Sequence, residues 1–596
     1  MKDSIGSTKE LFESNATSVK NIVYEMINAG NVDMAQQVLE QYALLNPTDS
    51  EINDIRTKLD LNDNTACKDK SISDEYGILR EVETIFVLNR IVFGRIGIQD
   101  SVLRKVKMME SVWNYRPLIL TCYHNIDHRQ AQIWLQTAGD GKVNISAGTR
   151  ILNVYDYFQK SYAEGLDNNA VYAKIDDSSQ YVEAGDNIYD VYDGDMLVRQ
   201  EHFTGYAGSL RMVRNFKNGK KTSDFVYDDW GYLNFTREYD SKDENVYRLK
   251  YFTTEGLLCI EAFYDNMDEE TDEPVKLLVY NEHGSIIKEC ADRSELAAMC
   301  LEQIIPEDKF SIVIIEDGLL SKTATSIGIN KSNRMICEVV HNVFLKDPYN
   351  LKSGPQRFYK NLCENHSLFD GIILLTEEAK RDFQNIYGNT QRIFVIPHSY
   401  PYKVSNVDFD SRNHKKAVIV ARLDPIKQLE CAIYIFSLAV KKVPDAMLEI
   451  YGRGEEEEIL NEHIHKLGLE KNVFLMGFTD DPVSVVKTAS LFMMTSLAEG
   501  YPSTLVEAIC NGCPAFSFDL KYGPSEIIDE GKTGFLFHRS DMEQYAQKIV
   551  AFLKDIDLQR TMSNNCYADA PRYGTSQFLD KWYEMTATLY NRRSEL

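Results

Sequence analysis

The spacing of hydrophobic positions changes several times along the chain. Val19, Ile22, Val23, Met26 and Ile27 recur at helical spacing. Gly30 and Asn31 interrupt them, and Ala35, Val38, Leu39 and Tyr42 form the face of a second helix ending at Leu45-Asn46-Pro47. A third helix follows Asp49. This start resembles one tetratricopeptide-type helix pair, a unit that mediates protein contacts, or equally a small helical cap. From about residue 80 short apolar runs alternate with helical text. Thr84–Leu88 and Leu118–Cys122 read as buried strands around a helix through Leu103, Val106 and Met109. Between about 165 and 290 the pattern shortens to two-residue alternation rich in Tyr, Phe, Asp and Gly. Asn218-Gly219 predicts a hairpin turn, and Gly231, Gly256 and Gly284 each follow a Tyr by a few residues, one per hairpin. Strand-like runs return at Phe310–Ile315, Met335–Val340 and Gly371–Leu375. The cleanest alternation begins near 415, with strands expected at 417–423, 447–451, 472–476, 490–496 and 513–519. A helix after the first of these carries Leu429, Ala432, Ile433, Phe436, Ala439 and Val440. The amphipathic run near 575–592 is expected to pack back across the domain boundary.

These patterns predict an α/β protein with two doubly wound, Rossmann-like domains. The expected parts are a helical extension over 1–75 and a first domain over 76–164 and 291–400. An antiparallel β insertion spans 165–290, a second domain 401–575 and a terminal helix 576–596. Composition agrees: 44% hydrophobic and 26% charged residues suit a folded globular chain. No apolar run reaches the ~20 residues that span a bilayer, and no signal-peptide core follows Met1. The expected location is cytoplasmic, with peripheral association at the inner membrane face as an extension of it. A net charge of −25 argues against nucleic acid as a partner. The 11 cysteines are scattered through apolar text and read as buried thiols. Cys510 and Cys513 have CxxC spacing without the second pair that a zinc site needs.

Ligands of open α/β sheets sit beyond the carboxyl ends of the strands. There the first expected strand of the second domain delivers Arg422. Asp424 and Pro425 then cap a helix with Lys427 in its first turn, two cations suited to a diphosphate. The strand at 490–496 delivers Glu499-Gly-Tyr-Pro-Ser-Thr-Leu-Val-Glu507. Its Gly-Tyr-Pro turn opens a helix whose free N–H groups suit phosphate, and Glu507 lies within reach of ribose hydroxyls. In the first domain, Gly94 and Gly97 allow the backbone to approach a ligand at a helix start.

In order, Arg422-Leu-Asp-Pro-Ile-Lys427, Tyr451-Gly-Arg-Gly454, Glu499 to Glu507 and Gly523-Pro-Ser-Glu-Ile-Ile528 resemble the retaining GT-B glycosyltransferases of group 1, family 4. The resemblance covers 415–560 closely and 300–400 moderately. It implies that Arg422 and Lys427 hold the donor diphosphate, that Glu499 contacts the transferred sugar and that Glu507 holds the ribose. Gly452, Gly454, Gly500, Tyr501, Ser503, Thr504 and Leu505 complete the donor site by the same resemblance. His341, in Val-Val-His-Asn, resembles the histidine that contacts the donor sugar, although Val343 and Phe344 stand where relatives often carry a second one. His398 resembles a hinge residue. The β insertion is similar to two bacterial groups, one glycosylating wall teichoic acid and the other adding N-acetylglucosamine to serine-rich adhesins. These imply a UDP-sugar donor, a glycan or Ser/Thr-rich protein acceptor, and assembly of like or unlike subunits through the insert. No cofactor or metal is expected. Asp193-Gly-Asp195 reads as a hairpin turn, and His124 and His128 lack a third ligand. Arg211, Arg214, Lys217, Lys220 and Lys221 form a basic stretch in the insert that suits acceptor phosphates or a solvated sheet edge. The competing class is a non-catalytic adaptor with the same fold, which would be expected to lose donor-site residues.

Overall fold

The computed structural model describes residues 74–593 apart from 92–96, 127–130, 133–134, 136–144, 147, 161–180, 205–208, 229–230, 268–272, 328–332, 389–391 and 401–405. Residues 1–73, which hold nearly all of the expected helical extension, lie outside this set, as do Gly94 and His128.

Three sheets organise the described chain. The first has seven parallel strands in the order Ile393–Val395, Gly371–Leu374, Arg334–Val339, Phe310–Ile315, Val82–Leu88, Leu118–Thr121 and Ile151–Asn153. All six residues of Phe310–Ile315 and all six of Arg334–Val339 are buried, because helices cover both faces of a parallel sheet. The strand order reverses between Val82–Leu88 and Phe310–Ile315, which pair in register from Val82 opposite Phe310 to Val87 opposite Ile315. A reversal leaves a crevice at the carboxyl ends, where Asn89, Glu316 and Asp317 follow.

The second sheet is the insertion, ten antiparallel strands from Tyr181–Gly185 to Ile286–Cys290 in sequential order. Its turns explain the glycine repeat. Gly231, Gly256 and Gly284 have φ of 83°, 80° and 74°, a region that costs glycine nothing. Three residues before each stands Asp228, Thr253 or Asn281, whose carbonyl accepts the glycine N–H and whose side chain accepts the next N–H. Asn218 and Gly219 both have positive φ, as a tight two-residue hairpin requires. One expectation changes here. Met212–Lys217 and Lys220–Tyr227, which carry most of the basic stretch, are interior strands of this sheet and no edge.

The third sheet has six parallel strands in the order Val473–Gly477, Met447–Tyr451, Asn413–Val420, Ala489–Met494, Ala515–Phe518 and Gly534–Phe537. Its order also reverses, between Asn413–Val420 and Ala489–Met494. Two boundaries differ from the sequence expectation. The first strand stops at Val420, so Arg422 stands in the loop beyond it. Pro425–Lys427 is a separate 3-10 turn closed by left-handed Gln428 before the α-helix Leu429–Val440, so Lys427 precedes the helix instead of lying in its first turn.

The two parallel sheets are joined by two passages of chain held to each other, with Tyr400 N–H donating to the Tyr573 carbonyl at 2.8 Å. After the second passage, helix Thr575–Arg592 returns to the first sheet. Trp582 meets Phe86 edge-on at 5.9 Å, Tyr583 meets Tyr76 at 5.0 Å and Tyr590 meets Phe310 at 5.8 Å. Among the described residues no helix is long and apolar enough to cross a membrane.

Candidate active site

Each reversal point supplies one wall of a cleft. In the second domain, the loop after Ala489–Met494 is stitched to the Pro425–Lys427 turn. Thr495 Oγ1 donates to the Lys427 and Gln428 carbonyls at 3.1 Å each, and Leu497 N–H to the Ile426 carbonyl at 2.7 Å. This brings Lys427 Nζ to 2.7 Å from Glu499 Oε1, a half-buried ion pair formed by residues 72 apart in sequence. Asp424 caps the turn by accepting the Ile426 N–H, and its other oxygen holds the exposed Arg422 guanidinium at 2.9 Å. Arg422 therefore stands at the mouth, while Lys427 stands inside.

Gly452 and Gly454 act on this loop through their lack of a side chain. A Cβ on Gly452 would lie 1.8 Å from the Ala421 carbonyl oxygen, and one on Gly454 2.0 Å from that of Leu423. Only glycine lets the two loops that flank Arg422 touch. Tyr501 and Leu505 are buried, Ser503 and Thr504 open the helix Ser503–Cys510, and Glu507 lies along it. Glu507 Oε1 is 3.6 Å from Arg104 of helix Gly97–Trp113, a first-domain cation reaching the second domain.

The first domain's wall is centred on Glu316, which is fully buried. Lys105 pairs with its Oε1, and His341 Nε2 lies 2.7 Å from its Oε2. Burial pushes this carboxyl up, but Lys105 and His341 outweigh that and hold it at about 2. The Lys105 ammonium, itself buried, also faces the rings of Phe86 at 5.5 Å and Trp582 at 5.2 Å. Beside it, Asn89 Nδ2 bridges the reversal point to Asp317 Oδ2. His398 stacks on His341 with centroids 5.4 Å apart, and its Nδ1 is 3.3 Å from Ser101 Oγ. Burial, with the nearby His341 and Lys105, holds its pKa well below the ordinary value.

The two walls meet at Gly500. A Cβ there would lie 2.1 Å from the His341 carbonyl oxygen and 2.6 Å from Asn342 Cα. Behind this contact Glu526 of the second domain accepts the Glu377 and Glu378 N–H groups at 3.0 and 2.8 Å, at the start of first-domain helix Glu377–Tyr387. The structure thus gathers Lys427, Glu499, Gly500 and His341. Lys105, Arg104 and Glu316 were missed by sequence reasoning. A Glu-Asp pair directly after the apolar run Ile312–Ile315 was the available signal.

The remaining candidates lie elsewhere. Arg214 is locked to fully buried Asp224 on the adjacent strand at 2.9 and 3.0 Å, an acid that lies just beyond the basic stretch. Lys220 donates to the Ser241 carbonyl, and Lys221 lies 5.9 Å from the Tyr239 ring centre. Arg211 Nη1 donates to the Tyr227 carbonyl, and Lys217 is exposed. His124 Nε2 bonds Asn234 among Tyr155, Phe235 and Tyr251. Cys510 and Cys513 are buried, with their thiols pushed up by burial to about 12. Gly97 begins helix Gly97–Trp113.

Residues 407–569, which hold Arg422 to Glu507, match the sequence family described as glycosyl transferases group 1. This segment is a group 1 glycosyltransferase domain. Outside the glycosyltransferase domain the likeness continues. The chain is 28% identical over 356 residues to the poly(glycerol-phosphate) alpha-glucosyltransferase of Bacillus subtilis, a match covering 59% of this chain and 52% of that one. It therefore spans about half the length of that relative. It is 24% identical over 463 residues to the poly(ribitol-phosphate) alpha-N-acetylglucosaminyltransferase of Staphylococcus aureus, covering 73% and 87%. A crystal structure of a S. aureus TarM mutant, in complex with Fondaparinux, alpha-GlcNAc-glycerol and UDP, superposes with a TM-score of 0.69 at 21% identity. That match covers 85% of this chain and 99% of TarM. It places the glycosyltransferase domain and the first parallel sheet together in a GT-B fold.

Proposed function

We propose that this chain is a retaining glycosyltransferase that moves glucose or N-acetylglucosamine from a UDP-sugar to a poly(alditol phosphate) of teichoic-acid type. The observation that carries the reading is the Lys427–Glu499 pair set against His341 where two strand-order reversals face each other. The UDP in the TarM complex supports the choice of nucleotide. The names of the Bacillus and Staphylococcus relatives support the acceptor class.

In this reading the bond from the sugar's anomeric carbon to the diphosphate breaks, and the electron pair leaves with the diphosphate. Lys427, helped by Arg422 at the mouth, stabilises that charge without needing a metal. Glu499 orients Lys427 and contacts sugar hydroxyls, and Glu507 holds the ribose. The acceptor hydroxyl bonds the anomeric carbon on the face the diphosphate left, and its proton passes to a departing phosphate oxygen. The outer insert strand Ile286–Cys290 exposes Ile286 and Ile287, which supports assembly through the insert.

The test is turnover of UDP- and GDP-sugars with polyglycerol phosphate, polyribitol phosphate or a Ser/Thr-rich peptide as acceptor. Lys427→Ala and Glu499→Ala are each expected to lower transfer about 10²–10³-fold with the fold intact. Undiminished transfer by both would overturn the reading. An adaptor would bind acceptor but show no heat on calorimetric titration with UDP.

A further inference from the structure

The first-domain wall contains a buried pair, Lys105 and Glu316, that the donor-site motifs do not include and that bears directly on His341. Glu316 ends up at the reversal point with no solvent contact, between the Lys105 ammonium and the His341 ring. An isolated buried carboxylate would be very costly, and an isolated buried ammonium equally so. Here each offsets the other, and the faces of Phe86 and Trp582 enclose the ammonium further. Lys105 thus keeps Glu316 ionised without any help from substrate.

An ionised carboxylate only accepts hydrogen bonds. The 2.7 Å contact from His341 Nε2 to Glu316 Oε2 therefore requires the ring proton on Nε2. In the neutral ring that leaves Nδ1 as the lone-pair side. The ring plane is fixed as well, because His398 stacks against it with an interplanar angle of 11°. Two further contacts hold the backbone: Asn342 N–H donates to Tyr359 Oη at 3.1 Å, and Gly500 packs on the His341 carbonyl.

We propose that Glu316, kept ionised by Lys105, is a positioning residue that holds His341 in its Nε2–H tautomer. His341 then presents Nδ1 as a hydrogen-bond acceptor to a hydroxyl of the bound sugar. This rests on the transferase reading for what His341 touches, but the tautomer itself does not depend on that reading. The opposite tautomer would turn the same nitrogen from acceptor to donor, so a wrong tautomer changes the chemistry at the sugar without moving any atom of the donor-diphosphate site.

The test uses the full chain with ¹⁵N-labelled histidine, the His341 signals being assigned by their loss in His341→Gln. Nuclear magnetic resonance is expected to show the Nε2–H tautomer alone in the wild type. Single replacement of Glu316 would strand the buried Lys105 charge, so the pair is removed together. Lys105→Met/Glu316→Leu is expected to fold, because exchanging a buried ion pair for apolar residues is often neutral. It should show mixed tautomers. Its kcat for hydrolysis of UDP-glucose or UDP-N-acetylglucosamine should fall about 10–100-fold with donor KM little changed. Lys105→Met/Glu316→Gln, whose amide oxygen still accepts from Nε2–H, should restore the single tautomer and recover most of the loss. Equal kcat in the two double variants, or a wild-type ring protonated on Nδ1, overturns the proposal. If the wild type consumes no sugar nucleotide, the transferase reading fails, while the wild-type spectrum still decides the Glu316 contact. If a double variant unfolds, that same spectrum remains decisive.

Discussion

Glu338, the penultimate residue of strand Arg334–Val339, has no exposed surface. Ser321 Oγ donates to its Oε2 at 2.6 Å, and Oε1 has no hydrogen-bond partner among the described residues. Burial pushes its pKa well above the ordinary 4.5, and the nearby Asp317 adds to the rise. A raised carboxyl binds its proton more tightly folded than unfolded. Stability from this group is therefore complete below about pH 4.5 and declines as the pH climbs toward the folded-state pKa. Glu338→Gln keeps the shape and removes the titration. The variant is expected to gain in melting temperature over the wild type between about pH 5 and about pH 8, and to gain nothing at pH 4. A constant difference across that range would show that Glu338 does not titrate there. Single residues also mark what the sequence can disclose. Lys427, Glu499 and Glu507 stand out in the sequence through short motifs, and the structure brings Lys427 and Glu499 together. The Lys105–Glu316 pair was hidden, since its partners are 211 positions apart with the whole insert between them.

Among the elements, loops decide how closely the domains meet. The Glu499-Gly500 loop touches the His341 loop with no room for a Cβ. Gly500→Ala must push the walls apart by about an ångström, and such a displacement at a reacting centre costs about 10²-fold in turnover. Calorimetric titration should find UDP affinity nearly unchanged, since the replaced atom faces the other domain. An unaffected kcat would mean that the contact is not made during reaction. Helices and strands with long apolar runs were readable along the chain. Their exact ends were less so, because loop bonding sets them. Lys427 left the helix for a 3-10 turn once Thr495 claimed the carbonyls of Lys427 and Gln428. The basic stretch of the insert was legible as charge but not as structure. Its pairing with Asp224 is a cross-strand register, which only folding reveals.

Across the whole molecule, the alternation of patterns foretold two parallel sheets and an antiparallel one, and the amphipathic run near 575–592 foretold a return helix. Which surface that helix covers followed only from three dimensions. Trp582, 2% exposed, fills the space beside Phe86 and over Lys105. Trp582→Ala is expected to destabilise the first domain by about 3–5 kcal/mol, read by denaturant unfolding of a variant that still binds UDP. A loss below about 1 kcal/mol would show that the helix is an ornament of that domain. The helix also imposes an order on biosynthesis. Val82–Leu88 leaves the ribosome before the aromatic wall that closes over it, which lies about 500 residues downstream, far beyond what short connections between elements usually span. The first domain must therefore wait, partly uncovered, while the insert and the second domain are made and fold. During that interval the ammonium of Lys105 lacks one of its two rings. Chaperone dependence should accordingly concentrate in the first domain and end when the last turns of Thr575–Arg592 are released.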